Sequence, residues 1–332
     1  MSPKVSVVIS AYQKAQFLPR TLQSVLDQTF QDFEVIVVDD GSTDSTREIV
    51  ESFVKNDSRV EYVYQENQGP GSARNTGMRT AQAELIALLD GDDAWLPDKL
   101  EHQVQVMKAF PNIDLLLTNS QYISTLETRQ SAQTANYYHD YVLSHFNPCP
   151  LDGFEGVYLI GGTNFPAKIT QKNVFLPTTV MFRKRVWVEI GGFNEEFRGP
   201  EDLDFWVRAA LKKCQFAYTS QVGAIYYKNE TSLVQASERS YLEQLKHALY
   251  AHCSPEYEPI RDATRRLVHK RFRQLVVFYT YQRQPGKAWR MFRQSMAYGT
   301  SFRTLLMAAA SFVGPVPLTA YRKARQSSSR QT

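Results

Sequence analysis

Two clusters of carboxylates follow apolar runs that are typical of buried strands. Asp90–Asp93 (DGDD) closes the run Leu85–Leu89, and the pair Asp39 and Asp40 closes the run Val35–Val38. Carboxylates this close repel one another unless a cation lies among them. At the end of a buried strand, the natural cation is a divalent metal that carries a phosphate. Two such strand ends at one edge of a sheet outline a site for a nucleotide diphosphate.

The spacing of Asp90 and Asp92 predicts the metal. Carboxylate oxygens presented two positions apart suit one octahedral ion, which favours Mg²⁺ or Mn²⁺ over softer metals. Such an ion would bridge two phosphates and neutralise charge on a departing diphosphate. The alternative is an acidic turn ahead of a helix near Pro97.

Three further side chains are placed to recognise a nucleotide. Tyr12, after the first strand, can stack on a base, and Asp40 can accept a hydrogen bond from a base N–H. Arg74 can reach the same base or the phosphates. Each also has an ordinary interpretation, namely a packing tyrosine, an Asx turn and a solvated arginine. Their recurrence at one sheet edge favours the nucleotide site.

Two other nucleotide-binding classes fit the sequence poorly. Gly69 and Gly71 form a GxG, but the third glycine of a dinucleotide-binding loop is missing, and Ala11–Gln13 after the first strand is not glycine-rich. The dinucleotide-binding interpretation is therefore rejected. A sugar nucleotidyltransferase needs a glycine-rich loop with a basic residue directly after the first strand, and this pattern is also missing.

Glu201 and Asp202 form the predicted catalytic pair. General-base chemistry needs a carboxylate that lies near the metal, is not bound to it, and faces an acceptor hydroxyl. Pro200 before the pair and Leu203 after it place both acids at a helix N-terminus. The simpler alternative is that their charge complements the helix dipole.

Periodicity predicts alternating strands and helices, as in an α/β protein with a mostly parallel, Rossmann-like sheet flanked by helices. Ligands of such sheets bind beyond the carboxyl ends of the strands. A helix from about 43 to 55 is expected to be capped by Ser42 or Thr43, and the segment from about 120 to 175 reads as a long loop. The other predicted elements are strands at 5–10, 35–38, 59–64 and 85–89, and helices at 18–26, 74–83 and 201–212.

Several motifs, in this order and spacing, resemble the glycosyltransferase family 2 enzymes of GT-A fold. The resemblance runs from Val5 to about Tyr227. The matching pieces are Ser10–Tyr12, Ser24–Thr29, Phe33–Asp44, Gly71–Gly77, Leu89–Asp93, Gly191–Glu195 and the pair Glu201 and Asp202.

The resemblance implies roles for individual residues. Asp92 and Asp90 would hold the metal, and Asp202 is the first choice for the base, with Glu201 beside it. Many members of the family also have a histidine after the last core strand that completes the metal shell. Here 226–231 contains no histidine, and Lys228 is the candidate to replace some of the metal's charge. The donor would be bound by Ala11, Tyr12, Asp40, Arg74, Asp90 and Gly91.

The charge of the chain is unevenly distributed. The net charge is +4, yet residues 261–332 contain 15 Lys and Arg against one acid, Asp262, which gives +14 for this segment and −10 for the rest. Basic residues among apolar and aromatic ones suit an interfacial helix on an anionic membrane or, equally, a helical cap with a solvated basic face. A nucleic-acid partner is disfavoured by the acidic remainder.

The remaining features concern domains and location. The expected domains are a catalytic domain at 1–235, with a nucleotide-sugar half at 1–118 and an acceptor half at 119–235, and a helical basic region at 236–332. Three dispersed cysteines, no signal-peptide pattern and no long apolar stretch favour the cytoplasm. The basic segment 261–332 with its interleaved aromatic residues suggests peripheral attachment to the cytoplasmic face of the membrane.

The predicted function is that of a metal-assisted, inverting hexosyltransferase. It would move a sugar from a nucleotide-diphosphate sugar, with UDP as the first choice, to a hydroxyl of a glycan or lipid-linked acceptor. The alternatives are a nucleotide-sugar binding protein without turnover and a sugar nucleotidyltransferase. The identities of the sugar and the acceptor are not readable from the sequence.

Overall fold

The structure is a computed structural model that describes residues 3–124, 132–133, 138–228, 237–299 and 302–313. The end of the basic segment, 314–332, lies outside the described residues, and with it residues 314–318 of the apolar stretch at 305–318. The chain divides into two compact units, Met1–Gln235 and Ala236–Thr332.

The first unit is built around one mixed sheet. Its strands are β1 Val5–Ala11, β2 Phe33–Asp40, β3 Val60–Gln65, β4 Leu85–Asp90, β5 Ala94–Trp95, β6 Leu115–Ser124, β7 Ala132–Gln133, β8 Cys149–Pro150, β9 Val157–Ile160, β10 Val180–Arg183 and β11 Phe216–Lys228. Their order in the sheet is β3-β2-β1-β4-β10-β6-β11-β9-β8. Strands β3, β2, β1 and β4 are parallel, and β10 lies antiparallel between β4 and β6. The short strand β5 pairs with β11, and β7 pairs with β6.

Helices accompany this sheet in the first unit and make up the described part of the second. Those of the first unit are α1 Leu18–Leu26, α2 Thr46–Asn56, α3 Pro70–Thr80, α4 Lys99–Ala109, α5 His139–His145, α6 Phe165–Gln171, α7 Lys184–Ile190 and α8 Glu201–Leu211. Those of the second unit are α9 Glu238–Cys253, α10 Arg261–Tyr281, α11 Pro285–Ser295 and α12 Phe302–Val313. None of the described helices is long and apolar enough to cross a membrane.

The central strands are apolar because helices cover both faces of the sheet. Strand β1 is buried along almost its whole length, and Leu18, Leu22 and Val25 of α1 are fully buried against the same core. Helix α3 approaches β1 closely at Gly77, where a Cβ would lie 2.3 Å from Val8 Cγ1. This close approach brings the first turn of α3 to the carboxyl ends of β1 and β4.

The register of the sheet aligns the predicted acid pairs. Ser10 of β1 pairs with Asp90 of β4, and Ala11 pairs with Asp39 of β2. The carboxylates that end β2 and β4 therefore lie at the same edge of the sheet, on either side of the end of β1. The predicted α/β fold class is confirmed.

Three element predictions were wrong in detail. Helix α3 begins at Pro70 rather than at residue 74, because proline at the first helical turn after the positive-φ Gly69 starts a helix well. Helix α2 begins at Thr46, after Ser45 rather than Ser42 or Thr43. The supposed loop at 120–175 contains β8, β9, α5 and α6. These elements are short and carry little periodic signal, while 125–131 and 134–137 lie outside the described residues.

Candidate active site

The loop after β1 is bonded to the loop after β2. The backbone N–H of Gln13 donates to Ser42 Oγ at 2.9 Å, that of Lys14 to Thr46 Oγ1 at 3.2 Å, and that of Ala15 to the Asp44 carboxylate at 3.1 Å. Ser42, predicted as a helix cap, therefore serves as a loop anchor. Tyr12, in the loop after β1, is 48% exposed, so its ring is accessible to a ligand at this edge.

Asp40 is buried and holds the turn that leads into α3. Its carboxylate accepts hydrogen bonds from the backbone N–H groups of Gln68 and Gly69 at 2.9 and 2.8 Å, and from Gln65 Nε2 at 2.7 Å. Its partner in the pair, Asp39, accepts from Tyr62 Oη at 2.8 Å. The structure thus gives Asp40 a positioning role in the protein, and its predicted contact with a base stays a prediction.

Gly91 allows the loop after β4 to pack against β1. Its N–H donates to Ser10 O at 3.1 Å, and a Cβ at this position would lie 3.1 Å from the same oxygen and 3.4 Å from Ala11 Cβ. Any side chain here would push the loop away from the end of β1. Ala11 and Gly91 therefore shape the floor of the site with their backbones.

The carboxylates of the DGDD segment have different partners. Asp90 Oδ1 accepts from Arg74 Nη2 at 2.9 Å, and Asp92 Oδ2 accepts from Lys14 Nζ at 2.5 Å. Asp93 is buried, where it accepts from Thr178 Oγ1 and from the backbone N–H of Tyr227. Burial, together with the neighbouring acids, raises the pKa of Asp93 well above its usual range. Asp93 therefore anchors the segment to β11, while Asp90 and Asp92 face cations.

Arg74 connects the two acid clusters that the sequence placed far apart. Its side chain is 6% exposed and donates from Nη1 to Glu201 Oε1 at 2.7 Å, as well as from Nη2 to Asp90. The solvated arginine considered as an alternative is therefore not seen, and the predicted contact of Arg74 with a base or the phosphates stays a prediction. Glu201 Oε2 accepts from the backbone N–H of Gly199 at 2.7 Å, so both oxygens of Glu201 are engaged within the protein.

Asp202 differs from Glu201 although the two are adjacent. It is partly exposed at the N-terminus of α8, where Oδ2 accepts from Asn173 Nδ2 at 2.9 Å and Oδ1 from the backbone N–H of Leu203 at 2.6 Å. Burial raises its pKa to about 7, the Glu201 carboxylate adds to the rise, and Arg74 opposes it. A carboxylate with such a pKa is matched to proton transfer near neutral pH.

Two residues of the site escaped sequence reasoning. Asn75 uses its amide to hold the Gly191–Glu195 motif and α7: Nδ2 donates to Phe193 O and Glu195 Oε1, and Oδ1 accepts from the Phe193 N–H and from Trp187 Nε1 of α7. Lys14 is the other. It lies three residues beyond the end of β1, and its side chain reaches Asp92. In hindsight, the signal was a lone lysine in an otherwise uncharged loop.

The predicted metal ligands can be compared with the needs of a divalent ion. Mg²⁺ and Mn²⁺ are commonly bound through one or two carboxylates plus phosphate oxygens of the substrate. Asp90 and Asp92 fit this donor set if Asp92 is released from Lys14. Within the described residues, no group of three or more His, Cys, Asp or Glu side chains is arranged to hold a metal. The Lys228 side chain lies outside the described residues.

Comparison with known proteins gives a consistent family. Residues 6–156 match the glycosyl transferase family 2 model. A Rickettsia bellii protein named as an uncharacterized glycosyltransferase is 30% identical over 69% of this chain and 29% of its own length. A Bacillus subtilis protein, TuaG, named for teichuronic acid biosynthesis, is 44% identical over 32% of this chain and 42% of its own length. The chain thus spans less than half of the curated relatives it matches.

Solved structures share the fold at low identity. Staphylococcus aureus TarS 1–349 in complex with UDP-GlcNAc aligns with a TM-score of 0.60 at 19% identity, over 92% of this chain and 83% of that one. The Pyrobaculum calidifontis mannosyltransferase PcManGT, in complex with GDP-Man and Mn²⁺, gives 0.57 at 17% identity, over 94% and 87%. These likenesses show a GT-A fold, and the match to the family model identifies residues 6–156 as a segment of glycosyltransferase family 2.

Proposed function

We propose that the chain is an inverting hexosyltransferase that moves a sugar from a nucleotide-diphosphate donor to an acceptor hydroxyl. The observation that carries the proposal is the contrast between Glu201 and Asp202. Arg74 holds Glu201 and links it to Asp90 at the donor edge, whereas Asp202 is partly exposed and has a pKa suited to a base. UDP is the first choice of nucleotide, because TarS, which shares the fold, was solved with UDP-GlcNAc.

The reaction assigns one task to each acid cluster. Asp202 takes the proton of the acceptor hydroxyl, and the hydroxyl oxygen forms a bond to the anomeric carbon. The bond from that carbon to the diphosphate oxygen breaks on the opposite face, which inverts the configuration. A Mg²⁺ or Mn²⁺ ion held by Asp90 and Asp92 would neutralise charge on the departing diphosphate. Tyr12 and Asp40 are proposed to hold the base.

An Asp202→Asn variant tests this assignment. Turnover is expected to fall by about 10²- to 10⁴-fold, while donor affinity stays nearly unchanged, because the amide keeps the shape but cannot accept the proton. Asp262→Asn is the matched control, since Asp262 also lies in the first turn of a helix and is exposed. A product with retained anomeric configuration by NMR would contradict inversion.

Two alternatives are separated by their products. A nucleotide-sugar binding protein without turnover would bind the donor equally well with Asp202 or Asn and would release no nucleotide diphosphate. A sugar nucleotidyltransferase would release pyrophosphate from a nucleoside triphosphate and a sugar 1-phosphate. The family match favours a glycosyltransferase over the binding protein and over the nucleotidyltransferase.

The acceptor is proposed to be a lipid-linked or cell-surface glycan presented at the cytoplasmic face of the membrane. The name of TuaG points to cell-envelope polysaccharide. In the second unit, Arg290 and Arg293 of α11 are exposed together with Trp289 and Met296, which suits an anionic lipid surface. Binding to anionic but not to neutral liposomes, weakened by salt, is expected. If the protein does not bind anionic liposomes, residues 261–332 are instead a helical cap on the catalytic domain.

A further inference from the structure

Lys14 occupies the place where a cation is needed in the DGDD segment. Its Nζ lies 2.5 Å from Asp92 Oδ2, and the two side chains are 16% and 14% exposed. Arg20 contributes a second positive charge there, because its Nη2 donates to the Asp92 backbone oxygen at 2.7 Å. The carboxylate that the metal would use is thus already neutralised by the protein.

The backbone of Lys14 is held by hydrogen bonds, and its side chain is a flexible four-carbon stem. Its N–H donates to Thr46 Oγ1, and its carbonyl accepts from the N–H groups of Phe17 and Leu18 at 2.9 and 3.0 Å. The lysine stem passes directly over Gly91, where a Cβ would lie 3.3 Å from Lys14 Cγ. A lysine ammonium on a flexible stem binds phosphate as a point charge and needs no fixed direction of approach. Lys14 can therefore turn from Asp92 to a phosphate without any backbone movement.

We propose that Lys14 is a built-in counter-ion of the donor site, which pairs with Asp92 in the free protein and binds the donor diphosphate when the nucleotide arrives. This inference rests on the proposed function, since it assumes a diphosphate at this edge of the sheet. Two consequences follow. Before the nucleotide binds, Lys14 competes with a divalent ion for Asp92. After it binds, Lys14 supports the diphosphate even without metal.

The test compares Lys14→Met with Lys4→Met. Lys4 also pairs with an aspartate, Asp32, at 3.4 Å, so the control removes the same charge from a lysine–aspartate pair that is mostly exposed. Lys4 precedes β1 and Lys14 follows it, which places the control at the opposite edge of the sheet, about 23 Å away at 3.3 Å per residue. Thermal melts establish that both variants are folded.

The first measurement is Mn²⁺ affinity of the nucleotide-free protein by calorimetry or electron paramagnetic resonance. Lys14→Met is expected to bind Mn²⁺ roughly tenfold more tightly than the wild type, because removing one competing charge-assisted bond frees Asp92. Lys4→Met is expected to match the wild type. Equal Mn²⁺ affinity in Lys14→Met and the wild type would contradict the proposed competition between Lys14 and the divalent ion for Asp92.

The second measurement is affinity for UDP, and in parallel GDP, with EDTA present. Lys14→Met is expected to bind about 10- to 100-fold more weakly, and Lys14→Arg to bind nearly as well as the wild type. If Lys14→Met binds like Lys4→Met, the phosphate role is refuted while the proposed function stands. If the wild type binds neither nucleotide under any condition, the proposed function itself fails, and the phosphate role fails with it.

Discussion

The ion pairs of Arg74 provide the most direct test of how the two halves of the site are joined. Arg74→Met keeps an unbranched apolar stem and removes the guanidinium, which leaves the buried Glu201 without its cation and Asp90 without its partner. Removing one member of a buried ion pair typically costs about 3–5 kcal/mol. The expected loss lies in this range, because the side chains of Arg74 and Glu201 are only 6% and 4% exposed.

Two further variants separate charge from geometry. Arg74→Lys keeps the charge, but a single ammonium cannot replace a planar fork that reaches two carboxylates, so a loss of about 1–3 kcal/mol is expected. Adding Glu201→Gln to Arg74→Met removes the buried carboxylate charge that Arg74→Met leaves without a cation. The double variant is therefore expected to lose at least about 1 kcal/mol less than the sum of the single variants.

Urea denaturation followed by tryptophan fluorescence measures these losses. Trp95, Trp187 and Trp206 all lie in the first unit, so the signal reports mainly on the unit that contains Arg74. A buried pair is screened little by salt, and the losses are expected to be similar at low and high ionic strength. A loss below about 1 kcal/mol for Arg74→Met, or one that disappears in salt, would mean that Arg74 is a solvated side chain and that the link between Asp90 and Glu201 is not made in solution.

Three further predictions concern other parts of the first unit. Activity is expected to rise as the pH increases through about 7, where Asp202 loses its proton. Because the folded-state pKa of Asp202 lies above the ordinary 3.8, the stability that this group contributes is fully present below about pH 4 and is lost as the pH rises through 7. Asp202→Asn should therefore melt at a higher temperature than the wild type at pH 8. Gly77→Ala is expected to cost about 1–3 kcal/mol in denaturant titrations, because its methyl group would lie 2.3 Å from Val8 Cγ1, and Val8→Ala should recover part of the loss. Asp92→Ala should abolish the gain in nucleotide affinity that Mn²⁺ provides, and calorimetry showing the same gain as in the wild type would place the metal elsewhere.

The sequence by itself determined the parallel part of the fold and the edge at which the site lies. The β-branched runs of β1 and β2 and the spacing of Leu18, Leu22 and Val25 are local patterns, and a local pattern is enough to predict a strand or a helix. Because ligands of such sheets bind beyond the strand ends, acid pairs that follow apolar runs could be assigned to one edge. The pairing of Ser10 with Asp90 and of Ala11 with Asp39 agrees with that inference.

Only the tertiary structure decided which cation neutralises which acid. Arg74 meets Glu201 across 127 positions, and Lys14 meets Asp92 across 78. The first contact depends on how α3 and α8 pack around the sheet edge, and the second depends on how the loops after β1 and β4 meet there. Nothing in the residue types near Arg74 favours Glu201 over solvent or a ligand. The raised pKa of Asp202 has the same origin, because adjacent carboxylates acquire different roles only through what surrounds them in the fold.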